Sequence, residues 1–343
     1  MVKDFENLRG PILRAVSRSF YLSLRTLPRA LRDPLSLAYL LARATDTIAD
    51  TPGVPPNVRT EALRNLVDAI QGAADRAMTV RDLFAPLQRD AAERALIDAL
   101  PAALVWLDAL EERDRSEVRA VLQKINRGQT LDLERFSGTD MQALPTAADL
   151  DEYTYLVAGC VGEFWTRLCF AHVKNFSDRP EGEMRELGVQ YGKGLQLINI
   201  LRDAGADLRH GRCYLPASEL HSLGLTPEEI LRNPARVEPI MRPWLEKAKR
   251  GLDAGIEYAC AIRPRRIRFA TALPALIGAR TLVLLREAGP EVFERKIKVS
   301  RAEVRKIIFS TALTLAARRS LRKAYRKELR CFSVIGRSSR SNT

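Results

Sequence analysis

The segment LARATDTIAD, residues 41–50, decides the fold because it closes an apolar run with two aspartates spaced one helical turn apart. Asp33 is a plausible N-cap, Pro34 suits the first helical position, and the breaker run TPGVPP follows. We therefore predict a helix over residues 34–50, with both aspartates in its last turns. They repel each other by about 0.2–0.5 kcal/mol, and the negative end of the helix dipole adds a similar cost. A nearby cation would offset this cost.

A second helix repeats the pattern. The segment ELGVQYGKGLQLINILRDAGAD, residues 186–207, predicts a helix that ends before Gly211, a natural left-handed residue. At about 100° per residue, four polar side chains share one face of each helix. In the first helix they are Tyr39, Arg43, Asp46 and Asp50, and in the second they are Gln196, Asn199, Asp203 and Asp207.

A single D-x-x-x-D pair on a helix is most often a solvated face. Here each stripe is flanked by dense apolar sequence, LSLAYLL in one helix and LQLINIL in the other, and two matching stripes favour helices that face each other across a polar cavity. Four carboxylates in one cavity require divalent cations, and oxygen ligands with water suit Mg²⁺. Arg43 and Arg202 stand beside the acids and could complete a diphosphate clamp.

Apolar residues recur at helical spacing along nearly the whole chain, and alternating β-type runs are scarce, which predicts an all-α fold. Clusters of Pro and Gly predict the breaks between helices, at residues 51–57, 127–140, 176–182, 210–220 and 262–268. The five cysteines show neither C-x-x-C pairing nor a histidine at ligand spacing, so we expect neither disulfides nor a zinc site. The three histidines are scattered, and we assign them structural or surface roles.

The N-terminus lacks the apolar stretch of a secretory signal, and no run of about 18 apolar residues is present, so we expect a cytoplasmic protein without a transmembrane segment. The net charge is +13, of which residues 296–343 carry 14 Lys and Arg against two Glu. A near-neutral body with a basic C-terminal segment favours peripheral contact with an anionic membrane surface over a nucleic-acid groove. A disordered, solubilising tail is an equal alternative.

Four segments, in this order, resemble those of the squalene/phytoene synthase family: SRSFYLSLRTLP (17–28), YLLARATDTIAD (39–50), EYTYLVAGCVGEFWTRL (152–168) and LQLINILRDAGADLRHGRCYLP (195–216). The resemblance implies an isoprenoid synthase fold with helices around a central cavity. It implies one synthase domain over residues 1–310, followed by a basic, partly disordered tail over residues 311–343. Ala49 and Ala206 stand where the family often has a glutamate, which puts the number of metal ions in question.

The resemblance also assigns roles to residues. It makes Asp46, Asp50, Asp203 and Asp207 Mg²⁺ ligands, and it places the diphosphate and substrate contacts at Ser17, Arg18, Phe20, Tyr39, Arg43, Gln196, Asn199 and Arg202. Tyr153 alone would be interpreted as a core tyrosine, whereas the family places a catalytic tyrosine there. Phe20 and Phe164 could face carbocations or simply pack in the core. Small residues at 158, 159 and 162 would let helices approach closely and shape an apolar tunnel.

The product expected from the resemblance is squalene, made from two molecules of farnesyl diphosphate with Mg²⁺ and NADPH. The motif at residues 152–165 and the form DTIAD favour squalene synthase, and Lys296-Ile297-Lys298 loosely fits the basic segment that contacts NADPH. The alternatives are a presqualene diphosphate synthase and a phytoene or dehydrosqualene synthase, neither of which transfers hydride. A non-catalytic membrane scaffold and a nucleic-acid-binding protein are the alternatives of other classes.

Overall fold

The fold is described from a computed structural model, which describes residues 2–17, 21, 24–25, 27–138, 140–314, 318–330 and 332. The predicted all-α class is confirmed, since helices dominate and one two-stranded sheet accompanies them. Contacts divide the chain into two compact units. Unit 1 comprises Met1–Ser137 and Arg167–Lys174, and unit 2 comprises Gly138–Thr166 and Asn175–Thr343.

The core of unit 1 is formed by α3 and α8, with shorter helices packed around them. The α-helices of this unit are α1 (Val2–Asn7), α2 (Leu13–Ser17), α3 (Arg29–Ala49), α4 (Pro56–Gln71), α5 (Arg76–Phe84), α6 (Ala91–Asp98), α7 (Leu100–Asp108) and α8 (Glu112–Arg135). The amphipathic α3 buries its leucine-rich face, including Leu37, Leu40 and Leu41, and presents its polar stripe on the other side.

The helix α3 begins at Arg29, so the predicted start at residue 34 is wrong. Its N-cap is Pro28, and Asp33 lies inside the helix instead of capping it. The Asp33 carboxylate is occupied by Arg9, whose Nη2 donates to Oδ2 at 2.5 Å. Because the Arg9 guanidinium neutralises the Asp33 carboxylate, this side chain is satisfied within the helix and does not bind the backbone N–H groups that an N-cap would bind.

The predicted break at residues 127–140 is also wrong in its first half, because α8 continues through Gly128 to Arg135. A single glycine costs about 1 kcal/mol in a helix interior. Burial of Val118, Leu122 and Ile125 against the neighbouring helices of unit 1 outweighs that cost.

Unit 2 is built on α11 and α14, which pack along most of their lengths. Its elements are β1 (Gln142–Leu144), α9 (Ala147–Thr154), α10 (Cys160–His172, within this unit through Thr166), α11 (Glu181–Arg209), β2 (Arg212–Pro216), α12 (Ala217–Ser222), α13 (Pro227–Arg232), α14 (Glu238–Ala261), α15 (Arg265–Ala288), α16 (Arg301–Thr314) and α17 (Arg318–Glu328). The strands β1 and β2 pair in parallel.

Two helix ends follow the sequence signals. The helix α11 stops at Arg209, and Gly211 has a φ of +80°, as the predicted C-terminal signal requires. At the start of α9, Thr146 and Asp149 form a capping box of the T-x-x-D type, in which each side chain accepts from the other residue's backbone N–H.

Small residues bring the backbone of α11 into direct contact with α10 and with the turn that precedes it in unit 2. A Cβ atom added to Gly162 would lie 2.0 Å from the carbonyl oxygen of Gly188, and one added to Gly192 would lie 2.3 Å from that of Ala158. The predicted close approach of helices at residues 158–162 is therefore confirmed. A tunnel for prenyl chains stays a prediction.

The helix α15 and the turn after it are long and apolar enough to cross a membrane, with a mean hydropathy of 1.4 over the most apolar window. However, 72% of that window is buried inside the protein, as in an ordinary core helix. The last described helix, α17, buries Leu321 and Tyr325 in unit 2. The described part of the predicted tail is thus helical, whereas residues 333–343 lie outside the described residues, and the domain boundary at residue 310 stays a prediction.

Candidate active site

The first acidic pair lies at the C-terminal end of α3, in unit 1. The Asp46 carboxylate accepts a hydrogen bond of 2.5 Å from Nε2 of Gln129, which projects from α8. Burial, together with the charge of Asp50, raises the pKa of Asp46 to about 6, although the hydrogen bond from Gln129 and the charge of Arg43 act in the opposite direction. Asp50 itself is exposed at the helix C-cap. A cation at Asp46 would relieve the cost of burying its negative charge.

Other predicted substrate residues also lie in unit 1. The Arg43 guanidinium is hydrogen-bonded to Glu93 of α6, which fixes its direction. The Tyr39 hydroxyl donates to the carbonyl of Val16 at 3.2 Å, so it holds the chain next to Ser17. Ser17 is buried and donates to the carbonyl of Leu13. The predicted contacts Arg18 and Phe20 lie outside the described residues.

The second acidic pair lies on α11, in unit 2. The Arg202 guanidinium binds Asp203 through two hydrogen bonds, of 3.2 Å and 2.5 Å. Asp207 lies 4.0 Å from Nη2 of Arg212, the first residue of β2. Asn199 and Gln196 precede this acidic pair on the same helix. Nδ2 of the exposed Asn199 lies 3.5 Å from Oε1 of Gln196, as expected for residues on one helix face.

The segment predicted to contact NADPH lies beside this second acidic pair. Lys296 is 58% exposed, and its ammonium stands 3.7 Å from Oδ1 of Asp203. Ile297 is buried, and Lys298 is exposed. Lys296 therefore faces a carboxylate, and this position suits a cationic partner of the acidic pair at least as well as a nicotinamide contact.

The predicted catalytic tyrosine is half-buried and stacked on a second tyrosine. The rings of Tyr153 and Tyr214 lie 5.1 Å apart between centroids, at an angle of 27°. Directly after α9 the helix widens into one π turn, Tyr155–Gly159. Such turns often occur at functional sites, because the extra residue redirects the side chains around it. Phe164, farther along, is buried.

The donor chemistry of each pair fits a hard divalent cation. Each helix supplies two carboxylates at i and i+4, and such oxygens are typical Mg²⁺ ligands, which leave room for water and phosphate. Within either unit, among the residues that the structure describes, no group of three or more His, Cys, Asp or Glu is placed to enclose a metal. That α3 and α11 share one metal site stays a prediction.

The family model for squalene/phytoene synthases matches residues 13–303, which is most of the chain. The chain belongs to the squalene/phytoene synthase family. Members of this family are prenyltransferases. The relatives of this chain include squalene, presqualene diphosphate and phytoene synthases. This membership confirms the resemblance carried by the four segments of the sequence.

Two curated relatives illustrate the range within the family. The chain is 31% identical over 241 residues to a bifunctional lycopene cyclase/phytoene synthase of Phaeosphaeria nodorum, covering 69% of this chain but only 38% of that protein. It is 27% identical over 301 residues to the presqualene diphosphate synthase of Rhodopseudomonas palustris, covering 87% of this chain and 94% of that protein. The chain therefore spans well under half of the first relative and nearly all of the second.

Two solved structures show the same fold. The ligand complex of TcSQS with E5700 matches with a TM-score of 0.73 and 20% identity, over 96% of this chain and 98% of that one. Squalene synthase HpnC from Alicyclobacillus acidocaldarius matches with a TM-score of 0.60 and 21% identity, over 84% and 94% of the two chains. This chain therefore has the isoprenoid synthase fold that the sequence predicts.

Three residues of the site escape prediction from the sequence, namely Glu93, Gln129 and Tyr214. Each lies far along the chain from the residue that it contacts. Gln129 carried one available signal, since a buried glutamine in an otherwise amphipathic helix needs a polar partner.

Gln129 allows a test of how Asp46 is held. We expect Gln129→Leu to raise the Mg²⁺ concentration needed for half-maximal activity about tenfold, because residues that orient a ligand contribute on this scale to metal affinity. Activity should recover at saturating Mg²⁺. The matched control is Gln71→Leu, whose amide bonds the carbonyl of Arg119 on the unit 1 surface. An equal Mg²⁺ requirement in both variants would contradict the role assigned to Gln129.

Proposed function

We propose that this enzyme joins two molecules of farnesyl diphosphate head to head into presqualene diphosphate, and then reduces that product with NADPH to squalene. The observation that carries the first step is the Asp46 carboxylate, kept partly buried with its pKa raised to about 6. A protein gains nothing in stability from such a group, which supports a functional reason for it. Family membership supports the reaction class.

In the proposed first step, bound Mg²⁺ would neutralise the diphosphate leaving group of one substrate. Asp46 and Asp50 of α3 would supply carboxylate ligands for Mg²⁺ in unit 1, and Asp203 and Asp207 of α11 would do so in unit 2. Gln129 keeps the Asp46 carboxylate in one orientation through its hydrogen bond. Arg43 presents a guanidinium held in place by Glu93. Its remaining N–H groups are suited to diphosphate oxygens.

Arg202 and Tyr153 would take part after the substrates bind. Arg202 is paired with Asp203, so a diphosphate that recruits Arg202 would free that carboxylate for a cation. The Tyr153 ring, held against Tyr214, offers a π face and a hydroxyl to a carbocation or to the proton that leaves. These roles leave the carbon chemistry to the substrates and assign orientation and charge to the protein.

A presqualene diphosphate synthase is the second candidate. Two observations favour it: the ammonium of Lys296 faces Asp203, and the chain matches a presqualene diphosphate synthase over 94% of that protein. In this alternative Lys296 serves the acidic pair, and no hydride transfer follows.

The deciding experiment supplies farnesyl diphosphate and Mg²⁺ with and without NADPH, and identifies the lipid products by mass spectrometry. Squalene that forms only with NADPH would support both steps. Presqualene diphosphate under both conditions would establish the second candidate. A longer prenyl substrate would be indicated if only geranylgeranyl diphosphate reacted. Absence of turnover with either substrate would favour the non-catalytic scaffold.

Lys296 separates the two steps further. If it contacts the cofactor, Lys296→Met should lower squalene formation about tenfold, while presqualene diphosphate accumulates at an unchanged rate, because only the second step loses a cation that binds phosphate. The control is Arg295→Met, whose exposed guanidinium pairs with Glu291. A slower first step in Lys296→Met, with no such effect in the control, would instead assign Lys296 to Asp203.

The proposal includes a cytoplasmic location with peripheral contact to the membrane that receives an apolar product. The basic C-terminal segment supports this part of it.

A further inference from the structure

The helix α16 exposes two large apolar side chains on one face. Phe309 and Leu313 are 68% and 69% exposed, whereas other exposed large apolar side chains among the described residues reach only 48%. Their spacing of four residues places them side by side on the helix. Single exposed apolar residues need no explanation, but two adjacent ones with most of their surface in water indicate a contact surface.

The opposite face of α16 holds the helix firmly in unit 2. Ile307 and Thr311 are buried beneath it. At its start, Ser300 and Glu303 form a reciprocal capping arrangement, and Nε of Arg280 donates to Oε1 of Glu303 at 2.8 Å. The helix is therefore preformed, so a partner that binds the exposed face would not have to order it.

Basic residues flank the exposed pair on both sides. Arg305 and Lys306, both exposed, precede Phe309 by one turn or less. Past the other end of α16, Arg318 and Arg263 bind the same carboxylate, that of Asp178. Arg318 is five residues from Leu313, a separation of at most about 18 Å, and the shared ion pair holds Arg263 and the start of α15 beside Arg318. Further exposed cations there and on α17 are Arg265, Arg266, Arg319 and Lys323.

We propose that this α16 face, Arg305, Lys306, Phe309 and Leu313 with the neighbouring arginines, docks on an anionic lipid bilayer. The two apolar side chains enter the boundary between headgroups and acyl chains, and the cations contact lipid phosphates. This is the division of labour of interfacial helices, in which buried apolar area and attraction to anionic lipid both contribute.

Charge decides between a bilayer and the other occupants. A second copy of the chain, related by a two-fold axis, would place this cationic face against itself, and like charges would oppose the contact. A nucleic acid would attract the cations but would leave the aliphatic Leu313 without a suitable contact, since bases are bound by stacking and hydrogen bonds. An anionic bilayer satisfies both components of the face.

The test measures flotation of the full chain, without substrate, with vesicles of phosphatidylglycerol and phosphatidylcholine in equal parts, and with vesicles of phosphatidylcholine alone. We expect binding to the anionic vesicles only, with a loss of at least about tenfold in high salt, because screening weakens contacts between surface charges. We expect the double variant Phe309→Ser, Leu313→Ser to lose at least about tenfold in partitioning as well. The matched control is Leu83→Ser, which removes a 48% exposed leucine from α5.

A second measurement reports insertion directly. In Phe309→Trp the new indole should be quenched by anionic vesicles whose acyl chains carry bromine, whereas in the control Leu83→Trp the new indole should not be. This variant keeps an apolar side chain at position 309, so its readout does not depend on the double variant folding. Thermal unfolding of all variants verifies their folds.

Three results would overturn the proposal: equal flotation of the double variant and the wild type, no quenching in Phe309→Trp, or no binding of the wild type to anionic vesicles. A dimer that the double substitution converts to a monomer would assign the face to a second copy instead. Loss of DNA binding in the double variant, with vesicle binding intact, would assign it to nucleic acid. Because no substrate is present, each of these results is independent of whether the proposed condensation occurs.

Discussion

Asp46→Asn is expected to reduce prenyl condensation at least about 1000-fold and, at the same time, to make the metal-free protein more stable at pH 7. The loss of activity follows because a carboxylate that holds the leaving group's cation contributes several kcal/mol to the transition state, and about 4 kcal/mol corresponds to three powers of ten. The gain in stability follows because the substitution removes a buried negative charge while Asn can still accept the hydrogen bond from Gln129.

The sign of the stability change can be derived from the pKa. In the folded chain the pKa of Asp46 is raised from 3.8 to about 6, so the folded state binds this proton more tightly than the unfolded state. The stabilisation that comes from the proton is complete below pH 3.8 and is lost as the pH rises through 6. Above that pH the ionised group costs up to about 3 kcal/mol, at 1.36 kcal/mol per unit.

The measurement is urea unfolding of wild type and variant at pH 5 and pH 7.5 in a chelating buffer, together with the condensation assay in Mg²⁺. The difference between the two proteins should be larger at pH 7.5. The matched control is Asp33→Asn on the same helix, which loses the ion pair with Arg9 but should retain activity. An active Asp46→Asn enzyme would remove Asp46 from the proposed site, and a destabilised one would contradict the charge argument.

Gly192→Ala should destabilise unit 2 by about 3 kcal/mol, the upper end of the usual cost of overpacking, although it adds only one methyl group. The new Cβ would lie 2.3 Å from the carbonyl oxygen of Ala158 and 2.8 Å from the carbonyl carbon of the same residue. Neither atom belongs to a side chain that can turn aside, so the two backbones must separate, which is the most costly form of overpacking.

Gly182→Ala is the matched control, because Gly182 belongs to the same helix, α11, and has open space where a Cβ would be added. There the change should stabilise the protein by about 0.5 kcal/mol, since alanine has the higher helix propensity. Opposite shifts of the two variants in urea unfolding, followed by circular dichroism, would verify the argument. Equal shifts would mean that the contact between α11 and the π turn before α10 adjusts at little cost.

The sequence was sufficient where a feature depends on neighbouring residues. The capping box at Thr146, the end of α11 before Gly211 and the two acidic stripes all follow from spacing along one helix. Features that depend on distant residues were not predicted. Asp33 was predicted to be an N-cap because the local pattern does not include its ion-pair partner, Arg9, which lies 24 residues earlier. Gly128 was predicted to break the helix because the contacts that stabilise α8 come from residues distant in sequence.

The candidate site shows the same division. Its charged residues were predicted from their own pattern, but the groups that orient them were not. Gln129 is separated from Asp46 by 83 residues, and Glu93 is separated from Arg43 by 50 residues. Tyr214 belongs to β2, whereas Tyr153, on which it stacks, belongs to α9. A single sequence carries no information about such contact pairs, since only folding brings the two residues together.

The backbone contact between α10 and α11 restricts how the enzyme could acquire a new chain-length preference. Where Gly162 meets Gly188, no side chain separates the helices, so no substitution can bring them closer and any larger residue forces them apart. Substitutions at this contact therefore cannot adjust the space for substrate by bringing the two helices closer together. Engineers who want the enzyme to accept longer or shorter prenyl donors should leave these glycines unchanged and vary the bulk of side chains on other faces of the same helices.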